Sequence, residues 1–363
     1  MSDDATKRLV GYYEAGDIGA KQYFVTDIPG DLLTHVIYAF ANVTVTQSGA
    51  AVVSVDAKDD GINFPLLSTL KTNYAQLRVL ISVGGANHST NFSAVASDDG
   101  LLTQFVQSSV QFMTENGFDG IDIDWEFPGP EDSANFTTLL QQLRGQLDAQ
   151  GEADGCHYLL TIAAPAGQQH IVNLQLPQIY PVVDWINLET YDFSTASSHK
   201  TNFVAPLFTE KGDLNVDAAV KSYLAGGVPA DKIVLGLRFV GTGWQGVPST
   251  NKGLYQSVTG PAPGTWDKAG SAPTGSLGYQ DIEDNYLGTY TRSWDKEAQA
   301  PWLYNADTGI MISYEDPQSL TAKVNYAVSN GLGGVMIWEL GSDDSAGTLV
   351  NAVSTALSQA LSV

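Results

Sequence analysis

The stretch GFDGIDIDWEFPG runs from Gly117 to Gly129 and sets Asp119, Asp122, Asp124 and Glu126 among Ile121, Ile123, Trp125 and Phe127. Residues two apart in a β-strand point to the same side. Asp122, Asp124 and Glu126 therefore share one face, and Ile121, Ile123 and Trp125 the other. A barrel strand accounts for both faces: the apolar side packs on outer helices and the acids look inward. Stacked carboxyls in an interior are tolerated only when paired, hydrogen-bonded or protonated, so at least one pKa is expected to rise. Glu126 comes last in the strand direction and is expected nearest the C-terminal mouth, where a raised carboxyl makes a natural general acid. Asp119 has the opposite parity. The alternation is too regular, and its flanks too apolar, for an acidic exposed edge strand. Carboxylates alone could hold Mg²⁺ or Ca²⁺, but His35, His88, His157, His170 and His199 show no ligand spacing. No metal or cofactor is expected.

Working outward, short apolar runs alternate with amphipathic helical stretches. Strands are predicted at 8–13, 33–43, 77–85, 118–127, 158–166, 184–193, 232–241 and 333–340. Eight strand–helix alternations argue for an α/β fold, a parallel (β/α)₈ TIM barrel. The rhythm breaks after the seventh strand, where residues 242–312 are rich in Gly, Pro, Trp and Tyr. A structureless loop of that length is unusual in a compact domain. The segment is read as a small inserted α+β subdomain, with residues 1–241 and 313–363 forming the barrel.

With 17 Lys plus Arg against 40 Asp plus Glu, the formal net charge is −23. Such a surface repels nucleic-acid phosphates and anionic membranes and suits a neutral partner such as a sugar polymer. Cys156 is the sole cysteine, which excludes an intramolecular disulfide. Met1–Lys7 is short and polar, so no signal peptide is expected in it, and no apolar run is long enough to span a bilayer.

On these residues the sequence resembles glycoside hydrolase family 18. Asp119, Asp122, Asp124 and Glu126 match its D-x-x-D-x-D-x-E signature in full. SVGG (82–85), YDF (191–193) and GGVMIWEL (333–340) match its third, sixth and eighth strands. ISYEDPQSLTAKVNYAVSNGLGG (312–334) looks like the segment leading out of the inserted domain in its chitinases. The resemblance implies a chitinase: retaining, substrate-assisted hydrolysis of β-1,4-linked N-acetylglucosamine. Glu126 would protonate the glycosidic oxygen and the substrate's own acetamido oxygen would be the nucleophile. Asp124 would orient the acetamide, and Asp122 would share a proton with Asp124. Tyr191 would bond the acetamido oxygen, Asp192 would position the sugar, and Trp338 would form the apolar base under it. Tyr12, Phe40, Asp119, Ala86, Glu189 and Arg238 join the expected substrate-binding set. Non-proline cis peptides are expected at Ala39–Phe40, Glu126–Phe127 and Trp338–Glu339. The implied partner is chitin or its oligosaccharides, met by a secreted monomer. An endo-β-N-acetylglucosaminidase acting on N-glycans or peptidoglycan, and a silent chitin-binding lectin, are the alternatives.

The chain departs from the family pattern in places. Ala86 stands where a stacking Trp is usual, Glu189 where Met is usual, and Val240 and Thr242 replace the Tyr and Arg of a seventh-strand motif. Weaker binding on the leaving-group side and a preference for short oligosaccharides are expected. Parity turns Glu189 and Arg238 inward, where an ion pair between them is expected. Trp244, Trp266, Tyr279, Trp294 and Trp302 are candidates for a replacement wall.

Overall fold

The computed structural model describes residues 7–209, 212 and 214–362. Apart from Lys7, the polar segment read above as lacking a signal peptide lies outside the described residues. Two compact units emerge. The first takes residues up to Glu189 with Val220–Leu235 and Gly331–Met336; the second takes Thr190–Ala219, Gly236–Asn330 and Ile337 onward.

The strands, in chain order, are β1 (Arg8–Glu14), β2 (His35–Thr46), β3 (Gly49–Ser54), β4 (Arg78–Gly84), β5 (Gly120–Asp124), β6 (Leu159–Pro165), β7 (Trp185–Glu189) and β8 (Ile233–Arg238). They continue with β9 (Gly241–Gln245), β10 (Gly260–Pro261), β11 (Ser276–Leu277), β12 (Thr291–Asp295), β13 (Ala300–Asn305), β14 (Ile310–Ser313) and β15 (Gly334–Trp338). In the larger sheet β1, β2, β4, β5, β6, β7, β8 and β15 follow one another, and the pairing of β1 with β2 closes the ring. This is the (β/α)₈ barrel expected from the alternation. The last residues of β8 and β15 are counted with the second unit.

The predicted strands are all present; β1 and β2 run past their expected ends, and the other six stop short of theirs. The segment 118–127 is strand only over Gly120–Asp124, and 184–193 only over Trp185–Glu189. Beyond those points the chain leaves the ladder, as barrel chains do where strands give way to the loops of the mouth. One hairpin escaped prediction. β2 runs for 12 residues, and its far end pairs antiparallel with β3. The outer side of β3 is covered from the helix Asp99–Glu115: Ala50 N–H donates to Gln104 Oε1 (3.0 Å) and Val52 N–H to Ser108 Oγ (2.9 Å).

The second unit holds a six-stranded antiparallel sheet in the order β10-β9-β14-β13-β12, with β11 also on β9. It contains all of 242–312, together with chain on both sides of that segment. The helical part between its strands is short: a turn at Tyr279–Asp281 running into a π-helical Ile282–Leu287. Several aromatics proposed as a sugar wall are core instead. Trp244 is fully buried, Tyr279 and Trp302 nearly so. The indoles of Trp244 and Trp302 donate to the carbonyls of Thr195 (3.1 Å) and Lys252 (3.0 Å). Trp294 lies under the Arg292 guanidinium, 5.6 Å away. Among the described residues no helix is long and apolar enough to cross a membrane.

Candidate active site

β5 sorts its side chains as its alternation requires. Ile121 and Ile123 are fully buried. Beyond the strand, Trp125 continues their face, stacked on Phe92 at 5.1 Å and meeting Phe136 edge-on at 5.6 Å. The other face carries Asp122 and Asp124, both buried, and then half-buried Glu126.

Asp122 sits among four donors. Tyr12 Oη (2.8 Å) and Ser82 Oγ (2.7 Å) donate to its Oδ2; Thr161 Oγ1 (2.6 Å) and Asn187 Nδ2 (3.3 Å) donate to its Oδ1. These come from β1, β4, β6 and β7, so the barrel walls converge on one carboxyl. Burial raises the Asp122 pKa, and the donors pull it back. Asp124 lacks that help. Its Oδ1 is buried without a hydrogen-bond partner. Burial, then the charges of Glu126 and Asp122, hold its pKa well above the ordinary carboxylate range. Of these two acids Asp124 has the weaker support for its anion, because donors stabilise the charge and only Asp122 has them in number.

The mouth is shaped by SVGG. Gly84 has φ +116, and a Cβ there would fall 2.0 Å from the Asp124 carbonyl oxygen; at Gly85 (φ +86) a Cβ would strike the Phe40 ring at 2.7 Å. Without side chains, β4 closes on β5 and Gly85 N–H donates to the Asp124 carbonyl at 2.7 Å. Ser89 completes the clamp. Its Oγ donates to the Gly85 (2.9 Å) and Asp124 (3.2 Å) carbonyls and accepts from Glu126 N–H (3.0 Å). Ser89 thus fixes the backbone that carries the acid. Sequence reasoning missed it, since a Ser in a polar loop carries no periodic signal. Glu189, at the end of β7, joins the same corner: Asp124, Glu126 and Glu189 each bring a carboxylate oxygen within 4.8 Å of the others. Past Glu126, the Phe127 ring lies against His170 at 4.6 Å.

Other predicted site residues lie in the second unit. Tyr191 is buried, Trp338 half-buried. Asp192 has φ +55, and its Oδ1 lies 3.0 Å from Arg238 Nη1, which also donates to Thr242 Oγ1 at 2.8 Å. Whatever Glu189 adds, Arg238 has a countercharge in Asp192. Val240 is buried. The three expected cis peptides are present, at Ala39–Phe40, Glu126–Phe127 and Trp338–Glu339.

Two expected substrate contacts need correction. Asp119 precedes β5, at the end away from the mouth, and is taken up there: Oδ1 pairs with Lys71 Nζ at 2.7 Å and Oδ2 accepts Val79 N–H at 2.8 Å. It ties the foot of the strand and does not meet the acids of the mouth. Tyr12 is buried with its hydroxyl on Asp122, which makes it a support for that carboxyl. Ala86 is exposed and Phe40 half-buried.

Comparison with known proteins bears on this geometry. The chain is 35% identical to chitinase A1 of Niallia circulans over 93% of its own length, and spans 56% of that protein. It is 35% identical to endochitinase 1 of Metarhizium robertsii, covering 92% of this chain and 80% of the relative. A solved chitinase from Bacillus thuringiensis superposes with a TM-score of 0.91 at 32% identity, over 98% of this chain and 70% of that one. The model of the glycosyl hydrolases family 18 matches residues 8–343, so the acids stacked along β5 stand in a chain that belongs to that family.

Proposed function

We propose that the chain is a chitinase, cleaving β-1,4 linkages between N-acetylglucosamine units with retention of configuration. The observation that carries this reading is the asymmetry of the β5 acids: Asp122 held by four donors, Asp124 buried with an oxygen that has no partner, and Glu126 beyond them at the mouth. Glu126 donates its proton to the glycosidic oxygen as the bond to the anomeric carbon breaks. The substrate's acetamido oxygen attacks that carbon from the opposite face, giving an oxazolinium ion. Asp124, with an unpartnered oxygen at the site, orients the acetamide and steadies its positive charge. Water then adds to the anomeric carbon, giving its proton to Glu126, and the acetamide is restored. By the family pattern Tyr191 bonds the acetamido oxygen, Asp192 positions the sugar and Trp338 underlies it. Exposed Ala86 offers no ring on the leaving-group side, which favours short oligosaccharides. Since chitin is an extracellular polymer, the reading places the mature protein outside the cell, as a monomer.

The test is hydrolysis of chitin oligosaccharides of defined length, with products read by mass spectrometry. Glu126→Gln is expected to lower kcat by about 10²–10⁴-fold while leaving oligosaccharide affinity unchanged, because it removes the transferable proton and little else. Near-normal turnover in that variant would remove Glu126 from the role of acid. Binding of chitotetraose without cleavage by the wild-type protein would make it a lectin, and cleavage of N-glycans in preference to chitin would make it an endo-β-N-acetylglucosaminidase.

A further inference from the structure

The acid corner holds one carboxylate more than the family pattern requires. Where Met is usual, Glu189 ends β7 and meets Asp124 and Glu126, with carboxylate oxygens mutually within 4.8 Å. That spacing matches two Ca²⁺–oxygen bonds of about 2.3–2.6 Å laid end to end, so one ion between the three side chains can reach all of them. Asp124 supplies an independent reason for a ligand there: it is 3% exposed, and its Oδ1 has no hydrogen-bond partner. A buried oxygen without a donor is destabilising, and a cation relieves it. The donor set is oxygen only, which selects hard ions over Zn²⁺ or Cu²⁺. Glu126 and Glu189 are half-buried, leaving solvent access for the water ligands that such ions retain.

We propose that Asp124, Glu126 and Glu189 form a site for a hard divalent cation, Ca²⁺ in the first instance, whose occupancy blocks hydrolysis. The ion takes the Glu126 oxygen that must carry the proton and the Asp124 oxygen that must meet the acetamide. It is therefore an inhibitor of the chain and not its cofactor. The inhibition rests on the reading of Glu126 and Asp124 given above; the binding does not.

The experiment uses EDTA-stripped wild-type protein, titrated with Ca²⁺ by calorimetry and with Mn²⁺ by electron paramagnetic resonance. One site is expected, with Kd on the order of 10⁻⁴–10⁻³ M. Glu189→Gln is expected to weaken it at least about tenfold, with its thermal melt recorded to show that it folds; Glu189→Met serves if it does not. Chitotetraose hydrolysis by the wild type should fall about tenfold between metal-free and Ca²⁺-saturated samples, and that ratio should approach one in the variant, whatever its basal rate. Absence of saturable uptake by the wild type at about ten times the expected Kd overturns the proposal. Undiminished uptake in both Glu189 variants also overturns it. Metal uptake that depends on Glu189, in a protein that cleaves no chitin even when stripped, supports the site and removes the chitinase reading instead.

Discussion

Asp124 is a carboxyl whose surroundings resist its charge. It is buried, its Oδ1 has no donor, and Asp122 and Glu126 stand on either side of it along the chain. Its folded pKa lies above its unfolded one, so the native state binds that proton more tightly. The contribution to stability is full below the unfolded pKa and is lost as pH rises through the folded pKa. Asn at 124 never ionises. Asp124→Asn is thus expected to melt with the wild type in acid and to exceed it progressively as pH rises, while losing activity. Equal melting temperatures across the whole range would show that Asp124 carries no raised pKa. Parity alone put Asp122, Asp124 and Glu126 on one face, and that much was legible in GFDGIDIDWEFPG. The unequal support of Asp122 and Asp124 was not, because it depends on Tyr12, Ser82, Thr161 and Asn187 arriving from four other strands. Ser89 and the Asp192–Arg238 contact were illegible for the same reason: each is a meeting of distant segments. Thr242 stands where the family pattern has Arg, and its hydroxyl accepts from the Arg238 guanidinium four positions earlier.

At the level of elements, the approach of β4 to β5 is controlled by two glycines. A methyl group at Gly84 would overlap the Asp124 carbonyl oxygen, at 2.0 Å, and the residue would also have to hold a positive φ that L side chains avoid. Gly84→Ala is expected to destabilise the fold by about 1–3 kcal/mol and to reduce kcat more than substrate affinity, since it shifts the backbone that leads into Glu126. Urea denaturation and oligosaccharide kinetics measure the two effects; an unaltered kcat would separate the clamp from catalysis. The eight barrel strands could be read from sequence because each is a compact apolar run set off by helical spacing. The β2–β3 hairpin could not, since AAVVS is short and follows β2 after a brief polar turn. The stretch 242–312 stood out by its length and composition, but its individual strands did not, because antiparallel pairing of two- to six-residue strands leaves little periodicity.

For the molecule as a whole, charge and burial set the response to acid. His35 is packed edge-on against Trp185 at 4.6 Å; burial, then Arg8 and Arg78, push its pKa down to about 3. Its neutral form fits the fold, so its contribution is full above the unfolded value near 6.5 and is lost as pH falls towards about 3. Over that window the wild-type unfolding free energy from urea denaturation is expected to drop, by up to a few kcal/mol from this residue alone. His35→Gln should show a shallower fall, and parallel curves for the two proteins would contradict the assignment. Both proteins share every other pH-dependent contribution, so the difference between the curves is the quantity that reports on His35. At a net charge of −23, copies of the chain repel one another at neutral pH, but acid removes that protection. The β2–β3 hairpin then matters in another way. An open strand edge is a template on which a second chain can pair, and β3 ends its sheet. With Ala50 and Val52 N–H groups already bound to Gln104 and Ser108, that edge offers an incoming strand few free donors, a guard against self-association that does not depend on charge.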